Sequence, residues 1–256
     1  MRYCMRIFCV LSVFFTGGFM LLLPQIIYAE NANDIIEKVV DNLNGKTAIM
    51  EISMVVKTSR AERTMKMKSY SIGQEKSFIK ILYPKKDEGI TFLKLDNSMW
   101  QYVPRIEKTI KIPASMMLQS WMGSDFSNDD LVKESSLSDD YDHALIAETE
   151  DDYNLELHPK ADAAVVWGKI LMSVSKQYYL PVTVSYFDED GVLIRELLYT
   201  DVKAYGKRFY PSRWVMTPKT ADKKGHETRI IVSDVIFDME VDENYFTKRA
   251  LKRFSR

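Results

Sequence analysis

The chain has 256 residues with 35 basic and 36 acidic side chains, which gives a formal net charge of −1. This balance excludes a general electrostatic attraction to nucleic acid or anionic lipid. Its two cysteines, Cys4 and Cys9, both lie near the start. The rest of the chain therefore offers no disulfide, no thiol nucleophile and no cysteine metal site.

Residues 1–29 have the pattern of a secretory signal peptide. Arg2 and Arg6 precede an apolar run over residues 7–23, and Ala29 supplies a small residue at a cleavage site. A retained membrane anchor is the alternative, because the run is close to the shortest spanning length of about 17 residues. We expect cleavage, which leaves one exported domain of residues 30–256 with 33 basic and 36 acidic side chains.

The first element predicted after this leader is a short helix. Asp34 and Glu37 have capping-box spacing, and Asn44-Gly45 is a typical helix end. The apolar stripe of the helix consists of Ile35, Ile36, Val39, Val40 and Leu43. Such an amphipathic helix needs a sheet to lie on.

Alternation of apolar and polar residues then predicts a long series of strands. In the first half of the chain they cover residues 50–56, 65–68, 77–83, 90–95, 99–103 and 107–112. In the second half they cover residues 144–149, 153–157, 164–175, 180–187, 192–199, 209–217 and 227–237. Short turns between successive strands favour antiparallel pairing. We therefore predict a mainly β fold whose antiparallel sheet is strongly curved or forms a barrel.

The middle of the chain breaks this pattern. Residues 115–122 predict a helix with one apolar face, which ends at Gly123. Residues 127–130 are cap-forming and predict a second short helix from Leu131. Residues 135–142 are acidic and predict a loop, and residues 242–246 predict a tail that docks on the domain.

Methionine and aromatic side chains give the main indication of function. Eleven of the 14 methionines lie beyond residue 29, and flexible methionine surfaces fit apolar ligands of varying shape. Ordinary core packing is the alternative for each residue. Because a few short helices cannot cover about a dozen strands, we expect an apolar cavity. Its predicted lining is Met50, Met54, Met65, Met67, Phe78, Phe92 and Trp100.

The helix over residues 115–122 is the predicted lid of this cavity. Its apolar face consists of Met117, Leu118, Trp121 and Met122, with Gly123 as a hinge. Phe126 is predicted to contact the lid from behind. Together these side chains form the predicted lipid-binding site.

Motifs for catalysis or metal binding are weak. Asp125, Asp129 and Asp130 lack EF-hand spacing, so helix capping explains them better. The three histidines are far apart, and no HExxH, G-x-S-x-G or phosphate-binding glycine loop occurs. We expect no enzyme activity, no cofactor and no metal site. A hydrolase of envelope lipids with dispersed catalytic residues is an alternative.

A basic stretch lies near an early turn and contains Arg60, Arg63, Lys66 and Lys68. The usual interpretation is a solvated strand face. The alternative is a docking edge for an acidic partner or for lipid headgroups.

Several runs of the sequence resemble the LolA-like family of outer-membrane lipoprotein-sorting proteins. WQYVP at residues 100–104, followed by EKTIKIP at 107–113, resembles a hairpin of that family. GSDFSNDD at residues 123–130 is similar to a run of the family's broader branch and is the more specific signal. Residues 179–181, 187–191 and 244–247 also fit, and the resemblance covers most of residues 33–250.

The resemblance implies an unclosed β-barrel, or half-barrel, covered by helices, in a periplasmic protein without catalytic activity. The implied function is a carrier that binds acyl chains of lipoproteins or lipids and delivers them toward the outer membrane. The implied partners are an acylated lipoprotein or lipid cargo, an inner-membrane exporter and an outer-membrane acceptor. We expect a monomer that binds no nucleic acid. The alternative is a non-catalytic accessory or interaction module of an envelope lipid exporter.

Overall fold

The computed structural model describes residues 30–133 and 137–256, so the predicted signal peptide lies outside the described residues. Thirteen strands occur within these ranges. They are β1 (Thr47–Lys57), β2 (Glu62–Ile72), β3 (Lys76–Tyr83), β4 (Thr91–Leu95), β5 (Ser98–Val103), β6 (Lys108–Lys111), β7 (Tyr141–Glu148), β8 (Asp152–Pro159), β9 (Lys169–Ser175), β10 (Pro181–Phe187), β11 (Leu193–Tyr205), β12 (Arg208–Pro218) and β13 (Glu227–Phe237).

The helices are few and short. The α-helices of the described residues are α1 (Ala32–Asn44), α2 (Asp130–Lys133), α3 (Leu137–Asp140) and α4 (Lys248–Arg253). Single 3₁₀ turns lie at Pro104–Ile106, Ala114–Met116, Trp121–Gly123, Ala221–Lys223 and Glu243–Phe246. Over residues 30–133 and 137–256, none of the helices has the length and apolar character needed to span a bilayer.

All thirteen strands belong to one antiparallel sheet in the order β6-β5-β4-β3-β2-β1-β13-β12-β11-β10-β9-β8-β7. The chain runs outward from β1 to the edge strand β6, crosses to the other edge strand β7, and returns to β13 beside β1. The two edges do not pair with each other, so the sheet is an unclosed half-barrel, as predicted. The connection from β6 to β7 must span the open side between these edges.

One apolar cluster fills the inner face of the sheet. Its buried members include Met54 and Met65 on central strands, Met99 near one edge, and Tyr141 and Leu155 near the other. A single cluster reaches strands near both edges because the sheet curves around it. The predicted stripe of α1 lies in this cluster, with Ile35, Ile36 and Val39 fully buried.

A second cluster covers the outer face of β3–β5. Phe78, Leu93 and Tyr102 pack there against residues of the C-terminal segment. Tyr245 stacks on Tyr70 with ring centroids 4.0 Å apart. The docking tail predicted at residues 242–246 is thus present, and α4, which the sequence analysis did not predict, extends it.

Several predicted boundaries were wrong. Helix α1 begins at Ala32, because Asn31 and not Asp34 is the N-cap and its side chain accepts from the N–H of Asn33. Strand β9 begins at Lys169 and not at residue 164. The loop predicted at residues 135–142 is wrong for residues 137–142, and residues 135 and 136 lie outside the described residues. Helix α3 and the start of β7 lie there, because Leu137 and Tyr141 belong to the inner cluster.

Arg208 joins α1 to the sheet through two carboxylates. Its Nε lies 2.7 Å from Asp238 Oδ2, and its Nη1 lies 3.2 Å from Asp41 Oδ2. Asp238 Oδ1 also accepts from the N–H of Lys46 at 2.8 Å. The Arg208 hydrogen bond and the Lys46 N–H together lower the pKa of Asp238.

We expect Asp238→Asn to lower the free energy of unfolding at neutral pH by about 0.5–1 kcal/mol, because the carboxylate is partly exposed and screened. A lowered pKa in the folded state stabilises the fold above the unfolded value of about 3.9. That contribution disappears as the pH falls through the folded pKa. Urea unfolding at pH values from 7 to 3 measures the difference in unfolding free energy between wild type and Asp238→Asn. Asp162→Asn serves as an exposed control. A gap between variant and wild type that did not narrow in acid would contradict the assignment.

Candidate functional site

The connection across the open side of the half-barrel begins with residues 112–129, called here the closing loop. It is held together by its own hydrogen bonds. Trp121 N–H donates to Phe126 O at 2.7 Å, Asp129 N–H to Met117 O at 2.8 Å, and Asn128 Nδ2 to Met116 O at 2.9 Å. The loop is therefore a compact folded unit without an α-helix.

The helix predicted over residues 115–122 is wrong. Two separate 3₁₀ turns stand in its place, and Met122 has a φ of 48° that interrupts helical geometry. Ser120 forms a β-bridge with Ser127, which folds the segment back on itself. These non-local contacts outweigh the helical spacing of the apolar residues.

Two aromatic side chains of the closing loop point into the inner cluster. Trp121 is 3% exposed and Phe126 is 9% exposed. The Trp121 ring packs edge-on against Phe92 with centroids 5.3 Å apart. The indole Nε1 is buried and has no hydrogen-bond partner among the described residues. Such an unsatisfied donor costs about 1–3 kcal/mol, so the buried position of Trp121 is less stable than its packing alone suggests.

Gly123 fits the loop closely against strand β2. It has a φ of +65°, and a Cβ there would lie 2.6 Å from Arg63 Nη2. The same guanidinium group donates a hydrogen bond to the carbonyl of Met122. Arg63 thus fastens the loop to β2.

Ser124 holds the turn of the loop together, and Asp125 fastens the loop to strand β13. Ser124 Oγ donates to Trp121 O at 2.7 Å and accepts from the N–H of Phe126 at 3.2 Å. Asp125 Oδ2 accepts from Thr228 Oγ1 at 2.7 Å, and that same hydroxyl accepts from the Asp125 N–H at 3.0 Å. Thr228 is fully buried, so this exchange fixes the depth of the loop.

Arg195 fastens the start of α2 to strand β11 in a pair called here the latch. Its Nη1 and Nη2 lie 2.7 and 2.5 Å from the two carboxylate oxygens of Asp130. The guanidinium packs over the rings of Trp167 and Tyr186, with its carbon 4.4 and 4.5 Å from their centres, and the two rings contact each other. The latch side chains of Arg195 and Asp130 are only 8% and 16% exposed. The latch is therefore a bidentate ion pair that is largely shielded from water.

Asp130 also closes a capping box with Ser127. The Ser127 N–H donates to Asp130 Oδ2 at 2.7 Å, and the Asp130 N–H donates to Ser127 Oγ at 3.1 Å. This confirms the capping function predicted for this run. The Asp130 carboxylate thus caps the start of α2 and also accepts both hydrogen bonds from Arg195.

Three cavities lie beneath and beside the closing loop. A cavity of about 70 Å³ lies under Phe126, between Ile170, Val184 and Met216. Cavities of about 280 and 380 Å³ flank the loop and share Leu118. Burial raises the pKa of the Tyr141 phenol in the innermost cavity, so the phenol stays neutral. The interior is mostly filled by its own side chains, and its cavities lie next to the loop.

The structure separates the predicted cavity lining into two groups. Met54, Met65, Met67 and Phe92 are buried in the inner cluster, and Met50 packs against it. Phe78 and Trp100 instead belong to the outer cluster under the C-terminal segment. Strand alternation explains the split, because neighbouring residues of a strand face opposite sides of the sheet.

The predicted lid residues also differ in position. Trp121 and Phe126 are buried in the inner cluster, and Met117 and Met122 pack against it. Leu118 is 63% exposed and faces away from it. The structure therefore brings four of the five predicted lid residues onto the inner face.

Sequence analysis missed Arg63, Arg195 and Thr228 as contacts of the loop. A signal existed for Arg195, which occupies an inward position of β11 two residues before the buried Leu197. A charged residue in such a position needs a buried partner. Within residues 30–133 and 137–256, no group of three or more histidine, cysteine or acidic residues is placed to hold a metal ion.

The described chain is thus a half-barrel with an apolar interior and a loop fastened across its open side. A family model described as that of an uncharacterized protein matches residues 73–253. The chain belongs to this family. No curated protein matches the chain.

Solved structures share the fold at low sequence identity. A DUF1329 family protein from Desulfovibrio piger has a TM-score of 0.79 and 22% identity, covering 86% of this chain and 97% of its own. An outer membrane lipoprotein-sorting protein domain from Vibrio parahaemolyticus has a TM-score of 0.74 and 23% identity, covering 87% and 98%. A LolA superfamily protein from Nitrosomonas europaea has a TM-score of 0.72 and 21% identity, covering 87% and 100%.

We expect Asp130→Asn to loosen the closing loop, because it leaves the buried Arg195 without its carboxylate. Removing one partner of a buried ion pair costs about 3–5 kcal/mol. Hydrogen exchange of the amides at residues 121–129 should accelerate by roughly 100-fold or more, which corresponds to about 3 kcal/mol. Asp139→Asn, an exposed carboxylate on α3, is the control and should leave exchange unchanged. Equal exchange rates in wild type and Asp130→Asn would show that the latch does not hold the loop.

Proposed function

We propose that residues 30–256 form a periplasmic carrier domain that binds acyl chains inside the half-barrel. The observation that carries this proposal is that polar contacts to Arg63, Arg195 and Thr228 fasten a loop over an apolar interior. Such a loop can move without breaking the sheet. Its movement would expose inner apolar surface that only another apolar group can cover.

In this proposal Trp121 and Phe126 act as a plug. They occupy the position that an acyl chain takes when the closing loop moves outward. Met117 and Met122, which pack against the same cluster, then adapt their flexible side chains to the bound chain. Met54, Met65, Met67 and Phe92 form the wall on the other side.

The free energy gained by burying an acyl chain and the free energy lost by moving the closing loop outward are of the same order of magnitude. An acyl chain of roughly sixteen carbons gains on the order of 10 kcal/mol at about 0.8 kcal/mol for each buried methylene. Exposing Trp121 and Phe126 costs about 1.5–3 kcal/mol each. Opening the latch adds a modest cost, because both ions regain water when the loop moves outward. Capture is therefore favourable but reversible, as a carrier requires.

Delivery toward the outer membrane is part of the proposal. It is supported by the similar structure described as an outer membrane lipoprotein-sorting protein domain and by the resemblance of residues 100–113 and 123–130 to the LolA-like family. The cargo is an acylated lipoprotein or a free lipid, received from an inner-membrane exporter and passed to an outer-membrane acceptor. No catalytic step is part of this function.

One observation favours a second candidate, a non-catalytic accessory module of an envelope lipid exporter. The innermost cavity measures only about 70 Å³. At about 10–15 Å³ per water, that space holds on the order of five waters. In this candidate the inner cluster is simply a core and the closing loop never leaves it.

Binding of acyl chains separates the two candidates. The mature protein is purified without detergent, examined by native mass spectrometry and titrated with a fluorescent fatty acid. We expect saturable binding, and we expect Trp121→Ala to raise the affinity by roughly tenfold, because truncating the plug makes opening easier by about 1.4 kcal/mol or more. Trp100→Ala, which removes a tryptophan from the outer cluster, should leave the affinity unchanged.

Absence of binding by wild type and by Trp121→Ala would contradict the carrier and favour the accessory module. Binding with the same affinity in both would keep the carrier but contradict the plug.

A further inference from the structure

Three segments meet at one corner of the outer face. They are the loop at residues 83–88, the hairpin segment at residues 104–111, and the C-terminal residues 248–256. Ser255 Oγ donates to Gly89 O at 2.7 Å, Lys80 Nζ donates to Arg256 O at 2.6 Å, and Lys252 Nζ lies 3.8 Å from Glu107 Oε2. These contacts make the three segments one continuous surface, called here the basic corner.

The basic corner concentrates positive charge in a chain that is nearly neutral overall. Its three segments carry ten basic and three acidic side chains, whereas the whole chain has a net charge of −1. The rest of the chain therefore carries a net charge of −8. All ten basic residues are exposed. Two of them are partly neutralised, because Lys85 pairs with Glu88 at 2.8 Å and Lys252 with Glu107.

Large apolar side chains project from the same surface. Leu82 and Tyr83, where the first segment begins, and Ile106 in the second segment are exposed, and Ile106 reaches 55%. Each lies within four residues of exposed lysine or arginine in the sequence. Trp100 lies between two lysines, with Lys248 Nζ 4.7 Å and Lys111 Nζ 5.5 Å from its ring centre.

We propose that the basic corner docks on the surface of a membrane that contains anionic phospholipid. Lysine and arginine near such a surface contribute electrostatic attraction to the lipid phosphates, and exposed aliphatic and aromatic tips enter the boundary between headgroups and acyl chains. The charge complementarity between ten clustered cations and anionic headgroups identifies the occupant. An acidic protein surface matches the cations but gives no role to the exposed apolar side chains of Leu82, Tyr83 and Ile106.

This surface is separate from the proposed carrier site. It lies on the outer face, over the cluster that contains Phe78 and Leu93, whereas the closing loop covers the inner face. Docking would hold the molecule at the bilayer without using the interior. Membrane docking can therefore be tested separately from acyl-chain binding.

Vesicle co-sedimentation of residues 30–256 tests the proposal. The probes are vesicles of phosphatidylcholine alone and vesicles that also contain phosphatidylglycerol. We expect binding to the anionic vesicles at least tenfold tighter than to the neutral ones, and loss of that difference at about 1 M salt, where the screening length is only about 3 Å. Lys86→Glu/Lys248→Glu, which reverses two exposed cations on the outer side, should weaken binding to anionic vesicles at least tenfold. Leu82→Ser/Ile106→Ser should weaken it while keeping the dependence on salt.

The matched controls reverse charge or remove apolar tips elsewhere on the surface. Lys203→Glu/Lys207→Glu has the same change of net charge at exposed positions of the β11–β12 hairpin. Val192→Ser/Val202→Ser removes two exposed apolar side chains outside the basic corner. Both should bind like wild type.

The proposal is overturned if wild type does not bind anionic vesicles, which would leave an acidic protein as the partner of this surface. It is also overturned if the two charge-reversed variants lose binding equally, because the attraction would then follow net charge and not the basic corner.

Discussion

The sheet has two unpaired edges, and this constraint organises the rest of the molecule. Strands β6 and β7 lie at opposite edges of the sheet but follow each other in the sequence, so the chain between them crosses the open side of the half-barrel. An apolar interior cannot face water across that opening. The crossing segment therefore supplies Trp121 and Phe126 as the missing part of the core.

The way this segment is attached differs from the way the sheet is built. Strands are joined by continuous backbone ladders, which open only cooperatively. The closing loop is held by the carbonyl of Met122 on Arg63, by Asp125 on Thr228 and by Asp130 on Arg195. Buried polar contacts of this kind are specific in geometry and modest in net stability. They hold one closed arrangement without making it permanent, which suits a site that loads and unloads.

The two faces of the sheet carry different kinds of side chains and contacts. The inner face carries methionines and the aromatic plug, whereas the outer face of β3–β5 is covered by the C-terminal segment. The overall charge balance conceals a second asymmetry, because positive charge collects where α4 meets residues 83–88 and 104–111. A carrier of apolar cargo must both shelter acyl chains and reach the membranes that exchange them. The two faces offer separate surfaces for these tasks.

The sequence by itself determined the β class, the antiparallel pairing of successive strands and the apolar stripe of α1, because these depend on local periodicity and short turns. It also singled out the Gly-Ser-Asp-Phe run, in which small, cap-forming and aromatic residues leave few local conformations. Only the tertiary structure decided that residues 115–122 do not form a helix, since Asn128, Asp129 and Phe126 supply the backbone partners that a helix would have supplied internally. It also decided which face each strand residue occupies. A shift of one residue moves a side chain to the other side of the sheet, so Phe78 lies in the outer cluster while Ile81 lies in the inner one. Arg195 and Asp130, 65 residues apart, became partners because the curvature of the sheet brings β11 under the closing loop.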